Sequence, residues 1–367
     1  MTRVLTINPG SSSLKAALRT PTVSLTAEID RLGTSEARCT VTDTGMPPVQ
    51  EPFSGGAADA VAHVAALLAC RDIRPQAVAH RVVHGGSLFE RSVVITDAVR
   101  ESLTALVAWA PLHMPGDLAS IDAARACWPD AAHIACFDTA FHHALPDDAR
   151  RLPLPAFADQ LGLRRYGFHG LSVRSIVDTV PDLGDAVVAH LGSGCSVTAV
   201  HNGQPVHTSM SLTPASGVLS GTRSGDLDPE IPLILLDQPG ATTASVRTLL
   251  SHHSGLAGIA HGLHDVRDLL AAREHDPAAD LALRVFTRDV AMAIAAAATT
   301  LPRWDMLVFT GGIGEHAPTV CHEISARLTS LRLPRTLVVP ADEAAVMDRE
   351  TRVLLRAHLD VQHSSPQ

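Results

Sequence analysis

The chain has 367 residues, of which 46% are hydrophobic and 3% aromatic, and its formal net charge is −9. An acidic chain lacks the basic face that nucleic acids and anionic membranes require, so we expect neither as a partner. The length and apolar content support two domains with aliphatic cores.

The N-terminal segment resembles a strand rather than the basic and apolar regions of a secretory signal, so we expect a cytoplasmic location. The most hydrophobic stretch, residues 290–301, is too short to cross a bilayer and is typical of a buried helix. The six cysteines include no Cys-x-x-Cys pair, and we expect reduced core thiols. No His-x-x-x-His spacing on a predicted helix with a carboxylate supports a zinc site, whereas a metal bound by carboxylate and phosphate oxygens stays open.

Two Gly/Ser turns lie half a chain apart. The first joins two strand-like segments within residues 4–15, and the second joins two within residues 187–198. Such turns direct backbone N–H groups and hydroxyls at one spot, which suits phosphate. Two unrelated hairpin turns are the plain alternative. Taken together, the turns favour duplicated halves that grip a polyphosphate.

Strand and helix patterns alternate along the rest of the chain. The predicted elements are a strand at 77–83, a helix from Thr96 or Asp97 to a stop at Pro111, a strand at 131–137, a helix at 277–302 and a strand at 305–309. Residues 310–315 form a glycine-rich strand-to-helix loop in this prediction, which lets the backbone approach a nucleotide closely. The pattern predicts an α/β protein of two domains with the site in the cleft between them.

Seven segments in order give the chain a resemblance to the acetate kinase family over nearly its whole length: residues 8–15, 80–86, 110–113, 137–142, 165–170, 213–226 and 310–315. The resemblance implies two duplicated ribonuclease-H-like domains of the actin and sugar kinase type with an interdomain cleft. The implied boundaries are 1–139 plus about 345–367 for the N-terminal domain, and 140–344 for the nucleotide-binding domain. It also implies a homodimer that uses ATP/ADP and Mg²⁺ to phosphorylate a short carboxylate.

The residue types agree with that chemistry. A carboxylate is already deprotonated at neutral pH, so its attack on phosphorus needs charge stabilisation and positioning rather than a general base. The resemblance implies a catalytic group of five residues: Arg81, His113, Asp138, His169 and Arg223. In it Arg81 positions the substrate carboxylate, Arg223 stabilises the transferring phosphoryl group and His169 contacts that group. A surface ion pair, carbonyl capping and a structural histidine are the respective alternatives.

The resemblance implies three further sets of site residues. Magnesium is assigned to Asn8, Asp138 and Glu343, and helix capping or a solvated acid is the alternative for Asp138 and Glu343. The apolar walls that limit substrate size are Val83, Leu112, Phe168 and Pro214, together with the carboxylate-binding Arg81. The nucleotide is assigned to Asn8, Ser11, Ser13, Lys15, His190, Gly192, Ser193, Gly194, Asp265, Val266, Arg267, Gly311, Gly312, Ile313, Gly314 and His316. Lys15 as a solvated strand residue and Asp265–Arg267 as a surface salt bridge stay open.

The sequence departs from the family pattern at several of these positions. Ser193 and His316 each stand where asparagine is usual, and Met114 begins an altered segment after His113. We expect activity with altered kinetics or substrate preference, on acetate or propionate. A butyrate-type kinase and a non-kinase ATPase or sensor of the same superfamily are the alternatives.

Overall fold

The computed structural model describes residues 2–10, 12–20 and 23–363, with side chains described as far as residue 357. Ser11, which is predicted to bind phosphate, lies outside the described residues, as does the tail at 364–367. The chain divides into two compact units, residues 1–141 with 342–367 (unit 1) and residues 142–341 (unit 2).

Unit 1 contains a sheet that has eight strands among the described residues, in the order β5-β4-β3-β2-β1-β6-β8-β7. The strands are β1 (Val4–Pro9), β2 (Ser13–Arg19), β3 (Ser24–Asp30), β4 (Arg38–Asp43), β5 (Val49–Pro52), β6 (Ala77–Val82), β7 (Val93–Val94) and β8 (Ala132–Phe137). The helices are α1 (Ala57–Ala69), α2 (Asp97–Ala105), α3 (Met114–Cys127) and, at the end of the chain, α14 (Glu343–His363).

Unit 2 contains a sheet that has five strands in the described part of the chain, in the order β11-β10-β9-β12-β13. The strands are β9 (Ala186–Leu191), β10 (Cys195–His201), β11 (Gln204–Thr208), β12 (Met306–Thr310) and β13 (Arg335–Val338). The helices are α4 (Asp147–Arg150), α5 (Phe157–Gln160), α6 (Gly170–Thr179), α7 (Glu230–Leu236), α8 (Thr243–His252), α9 (Gly255–Ile259), α10 (Val266–Ala272), α11 (Pro277–Ala298), α12 (Gly311–His316) and α13 (Pro318–Arg327).

The two sheets repeat one strand arrangement. In each, the first strand (β1 or β9) pairs antiparallel with the second, and the third strand continues the antiparallel run. On its other side the first strand pairs parallel with a strand that arrives after a helical crossover, and a further parallel strand follows. Parallel strands covered on both faces are apolar along their whole length, and each residue of β12 is buried accordingly.

The long helix α11 shows how the sequence specifies its elements. Asp276 precedes it and accepts the Ala278 N–H at 2.8 Å, and Pro277 occupies the first turn, where its missing N–H costs nothing. Its buried residues recur at intervals of three and four, including Leu283, Phe286, Val290 and Ile294. This apolar face forms much of the core of unit 2.

Three predicted elements differ from the structure by more than one residue. The helix predicted to stop at Pro111 ends at Ala105, because its last turn tightens into a 3₁₀ helix at Leu106–Ala108. The Ala-rich helix ends at Ala298 rather than Pro302. The predicted loop at 310–315 is helix α12 from Gly311 onward, because Gly311 has φ +77° and turns the chain directly out of β12.

No helix in the described part of the chain combines the length and apolarity needed to cross a membrane. The six cysteines are free thiols, and Cys39, Cys136, Cys195 and Cys321 are buried.

Candidate active site

The first group of site residues surrounds Arg81 in unit 1. Arg81 lies on β6, and Asp138 follows the neighbouring parallel strand β8. Arg81 donates to Asp138 Oδ2 from Nε at 3.0 Å and from a terminal nitrogen at 2.5 Å, and its other terminal nitrogen donates to the Pro9 carbonyl at 2.6 Å. The side chains are only 12% and 1% exposed, so the surface ion pair considered for Arg81 is wrong.

Carboxylates keep Arg81 charged. Burial opposes the charge, yet Asp138, Glu343 and Asp117 outweigh it and raise the pKa of the Arg81 guanidinium. Asp117, on α3, is buried and accepts the Val83 N–H at 2.9 Å. Burial raises the pKa of the Asp117 carboxyl to about 7, although Arg81 and the Val83 N–H act in the opposite direction.

Oxygen donors meet at the end of β1. Asn8 Nδ2 donates to Glu343 Oε2 at 2.5 Å, and Glu343 is the first residue of α14. Arg81 donates to both Asp138 and the Pro9 carbonyl, so it connects the Asp138 carboxylate to the same end of β1. Hard oxygen donors of this kind fit Mg²⁺, which takes one or two carboxylates and completes its shell with water and phosphate oxygens.

The remaining predicted residues of unit 1 differ in exposure. Val83 is buried, whereas Leu112 is 37% exposed, and His113 immediately precedes α3. Lys15 lies on β2 with its Nζ 2.5 Å from Glu28 Oε1 on β3, and both side chains are well exposed. This exposed strand position agrees with the solvated alternative, and the phosphate contact of Lys15 stays a prediction. Ser13 begins β2 and accepts the Gly10 N–H through its carbonyl at 2.7 Å.

The second group lies in unit 2, at the turn between β9 and β10. The Gly192 N–H donates to the Gly194 carbonyl at 3.1 Å and closes a turn whose middle residue, Ser193, is exposed. A Cβ on Gly194 would lie 2.9 Å from a terminal nitrogen of Arg223 and 3.4 Å from His169 Nε2. An arginine and a histidine thus converge on this backbone, and a side chain here would displace the end of Arg223. Arg223 is 8% exposed and donates to the Pro214 carbonyl at 3.2 Å.

His169 is held by a strained backbone and a polar network. Its φ is +58°, the left-handed region that a non-glycine residue rarely adopts, and it directly precedes α6. Its Nδ1 hydrogen-bonds Ser196 Oγ at 2.9 Å, and its ring stacks on His190 at a centroid distance of 4.1 Å. His190 Nδ1 in turn hydrogen-bonds Ser172 Oγ at 2.8 Å. These contacts fix the ring, so Nε2 points towards the Gly194 turn.

The glycine-rich segment approaches the same turn. A Cβ on Gly192 would lie 3.6 Å from His190 Nε2 and 4.0 Å from the Gly312 nitrogen. Gly311 fits against the Leu191 carbonyl, which a Cβ would approach to 2.7 Å. Glu315 Oε1 accepts the Gly311 N–H at 3.0 Å and braces the start of α12.

The other nucleotide and substrate residues of unit 2 are more dispersed. Asp265 caps α10 by accepting the Arg267 N–H at 2.8 Å, and the Arg267 side chain, 85% exposed, pairs with the same carboxylate. This is the surface salt bridge considered as an alternative. Phe168 is buried, Pro214 is half-buried and His316 is exposed. Val266 lies on α10, whereas Ile313 and Gly314 lie on α12.

Sequence reasoning missed the residues that hold the predicted ones in place. Asp117, Ser172 and Ser196 hydrogen-bond Val83, His190 and His169. The sequence carries one signal for Asp117, which lies four residues after His113 in the first turn of α3. Ser172 lies just after the 165–170 segment and Ser196 lies within the 187–198 turn segment, but their hydrogen bonds to His190 and His169 are found only from the fold.

Comparison with known proteins shows the family of the chain. The chain matches the Acetokinase family over residues 3–345. The acetate kinase of Deinococcus radiodurans is 38% identical, with 96% of this chain and 98% of the relative covered. The acetate kinase of Dichelobacter nodosus is 41% identical, with 86% and 84% covered.

Solved structures show the same fold. A propionate kinase from Francisella tularensis superposes with a TM-score of 0.88 at 31% identity, covering 95% of this chain and 99% of that chain. Porphyromonas gingivalis acetate kinase gives a TM-score of 0.81 at 28% identity, covering 97% and 100%. The prediction of an α/β, ribonuclease-H-like fold of the actin and sugar kinase type is confirmed.

The fold and the family match together define a class, the phosphotransferases whose acceptor is a carboxylate. Within that class the chain belongs to the acetokinase family. The resemblance stated from the sequence is confirmed, and the alternatives of a butyrate-type kinase or a non-kinase ATPase or sensor are not favoured.

Proposed function

We propose that this protein reversibly transfers the terminal phosphoryl group of ATP to acetate or propionate, giving an acyl phosphate and ADP. The observation that carries the proposal is the convergence of Arg223 and His169 Nε2 on the Gly194 backbone, at 2.9 and 3.4 Å from its Cβ position. A cation, an imidazole and backbone N–H groups around one turn suit a phosphoryl group as its charge spreads in the transition state.

Arg81 is proposed to bind the acid. Three of its five N–H groups donate to Asp138 and Pro9 within the described residues, and two N–H groups on its terminal nitrogens remain. Two donors are what a carboxylate takes in a bidentate pair. Asp138 fixes the plane of the guanidinium, and Asp117 positions the backbone of Val83 beside it.

Transfer needs no proton movement on the acceptor. The acid is ionised well below neutral pH, so one of its oxygens attacks the phosphorus directly and ADP leaves. The barrier is repulsion between anions, and Arg81, Arg223 and His169 reduce it by positioning and charge. We propose that the Arg81 and Arg223 groups act in the same turnover.

Magnesium is proposed to be held by Asp138 and Glu343, with Asn8 beside them. When bound, it neutralises charge on the phosphate oxygens. The Asn8–Glu343 hydrogen bond of 2.5 Å keeps an amide and a carboxylate together at the end of β1.

Nucleotide binding is proposed for the glycine turns and α12. Gly194 and Gly312 offer backbone N–H groups, Gly192 closes the turn that presents them, and Ser193 offers an exposed hydroxyl. Because serine reaches less far than asparagine, water bridges part of this contact.

We propose a cytoplasmic homodimer. Unit 2 exposes large apolar side chains on and near α7 and α8, and homodimer interfaces are apolar at their centre. These residues are Leu227, Ile231, Leu233, Ile234 and Leu249, which are 38–57% exposed. Free thiols throughout the chain agree with a reducing compartment.

The test is to trap the product. The protein is incubated with ATP, Mg²⁺ and hydroxylamine and with acetate, propionate or butyrate, and the acyl hydroxamate is measured. Hydroxamate with acetate or propionate, together with an equal amount of ADP, is expected. ADP formation that ignores the acid would overturn the proposal in favour of an ATPase.

A further inference from the structure

Three side chains of types that bind metals lie together in unit 1. They lie at the edge of the sheet formed by β4 and β5, which is opposite the edge with β6 and β8. They are Cys39 on β4, Glu51 on β5 and His63 on α1. One ligand atom from each lies within 4.8 Å of the others. None of the three belongs to the residues proposed for phosphoryl transfer.

The fold brings them together through strand register and helix packing. Cys39 and Glu51 are direct partners across the antiparallel pair β4–β5, so their side chains share one face of the sheet. On α1, which packs on that part of the core, the His63 ring meets the edge of Phe53 at 5.6 Å between centroids. Phe53 follows β5 directly, so the ring that orients His63 belongs to the same edge hairpin.

The ligand atoms lie close enough together to share one metal ion. Glu51 Oε1 lies 2.9 Å from His63 Nε2, yet Nε2 is buried and makes no hydrogen bond to the described residues. The Glu51 carboxylate is thus close to Nε2 without hydrogen-bonding it, so the nitrogen is available to a metal ion. Ligands at about 2.0–2.3 Å from a tetrahedral zinc ion lie roughly 3.3–3.6 Å apart, which small side-chain movements reach from here.

We propose that Cys39 Sγ, Glu51 Oε1 and His63 Nε2 bind a zinc-type divalent cation with water as the fourth ligand. Sulfur and imidazole nitrogen select such a cation over magnesium, which prefers oxygen. The side chain of Cys39 is buried, whereas those of His63 and Glu51 are 28% and 44% exposed. This exposure leaves an entry path and room for water.

The cation has a structural consequence for the sheet edge. Eleven residues separate Cys39 from Glu51, and eleven separate Glu51 from His63. A bound cation would join Cys39, Glu51 and His63 and would thereby connect the β4–β5 hairpin to α1. Without a cation, burial and the Glu51 carboxylate raise the pKa of the Cys39 thiol to about 11, so the thiol is neutral. A bound cation holds Cys39 as a thiolate instead.

The test uses Co²⁺ as a spectroscopic probe on the full chain in the reduced state. Binding is expected to give a thiolate-to-cobalt charge-transfer band in the near ultraviolet that saturates at one equivalent and is displaced by Zn²⁺ but not by excess Mg²⁺. Because only a thiolate ligand gives this band, cobalt held by the oxygen donors near Asp138 and Glu343 does not contribute to it.

Variants assign the band to its ligands. Cys39→Ser should abolish it, and His63→Ala and Glu51→Gln should each weaken Co²⁺ binding by roughly tenfold or more. Cys70→Ser and Cys127→Ser are the matched controls, since both thiols are exposed, and should leave the band unchanged. If Cys39→Ser fails to fold, the His63 and Glu51 variants decide. A band absent from the unaltered chain, kept by Cys39→Ser, or unaffected by both His63→Ala and Glu51→Gln would overturn the proposal.

Discussion

Arg81 and Asp138 form a buried two-point ion pair, with Arg81 Nε and one terminal nitrogen donating to a single carboxylate oxygen at 3.0 and 2.5 Å. The pair exists because β6 and β8 are parallel neighbours and Asp138 directly follows β8. One oxygen of Asp138 thus orients the guanidinium that is proposed to receive the substrate.

Removing the Asp138 carboxylate should strongly destabilise the folded chain. In Asp138→Ala the buried Arg81 loses its main counter-charge, and breaking a buried pair costs about 3 kcal/mol or more of the free energy of unfolding. Arg100 and Asp122 make a similar fork at 2.8 and 2.6 Å, but Asp122 is 52% exposed. Asp122→Ala should therefore cost no more than about 1 kcal/mol. Urea unfolding of both variants checks this, and equal losses would contradict it.

Arg81→Lys should impair binding of the acid. Lysine keeps the charge but has no planar fork, so a bidentate contact with the carboxylate is lost. The KM for acetate should rise by roughly tenfold, corresponding to about 1.4 kcal/mol, while the KM for ATP changes little. Arg100→Lys is the control at a surface fork. An unchanged KM for the acid in Arg81→Lys would show that Arg81 does not bind substrate.

Gly194→Ala should lower turnover without unfolding the chain. The new Cβ would meet the flexible end of Arg223 at 2.9 Å, so the arginine moves rather than the backbone. We expect kcat to fall by roughly tenfold or more with a nearly unchanged melting temperature, as for other displaced transition-state donors. Gly116→Ala, where the Cβ meets nothing within 4 Å, is the matched control. A kcat equal to that of this control would remove Arg223 from the phosphoryl site.

Asp117 should make stability depend on pH. Its carboxyl has a pKa raised to about 7 in the folded chain, mainly by burial, against about 3.9 when unfolded. Between these values the folded state holds a proton that the unfolded state has lost, so this group's contribution to stability declines as pH rises towards 7. The slope is at most about 1.4 kcal/mol per pH unit.

Asp117→Asn keeps a side-chain oxygen for the Val83 N–H but removes the titration. The wild-type chain should therefore lose stability relative to this variant between pH 5 and pH 8, as measured by urea unfolding at each pH. A difference that is the same at both pH values would mean that Asp117 stays ionised in the folded chain.

The sequence predicts those parts of the site that lie in local motifs. Gly194 and Arg223 stand in glycine-rich turns, and the segments around Asp138 and His169 have family-like patterns, so each is found without a structure. What fixes their geometry is not local. Ser196 reaches His169 because β10 follows the Gly194 turn, and Glu343 reaches Asn8 only because α14 returns to unit 1.

Contacts between residues distant in sequence, and backbone angles, are not visible in local motifs. Cys39, Glu51 and His63 match no metal-binding spacing, because strand register rather than sequence distance brings them together. The loop predicted at 310–315 is a helix because the positive φ of Gly311 turns the chain from β12 into α12 without a connecting loop. The sequence shows that residue 311 is glycine but does not show its φ.

The central claim is that an ionised acid takes the phosphoryl group from ATP directly, with cationic and N–H groups but no base and no phosphorylated protein intermediate. The most direct measurement is the stereochemical course at phosphorus, using ATP made chiral at its terminal phosphate with oxygen isotopes and acetate as acceptor. A single in-line transfer predicts inverted configuration in the acyl phosphate. Retention would contradict the account, because it requires two successive displacements through a group on the protein.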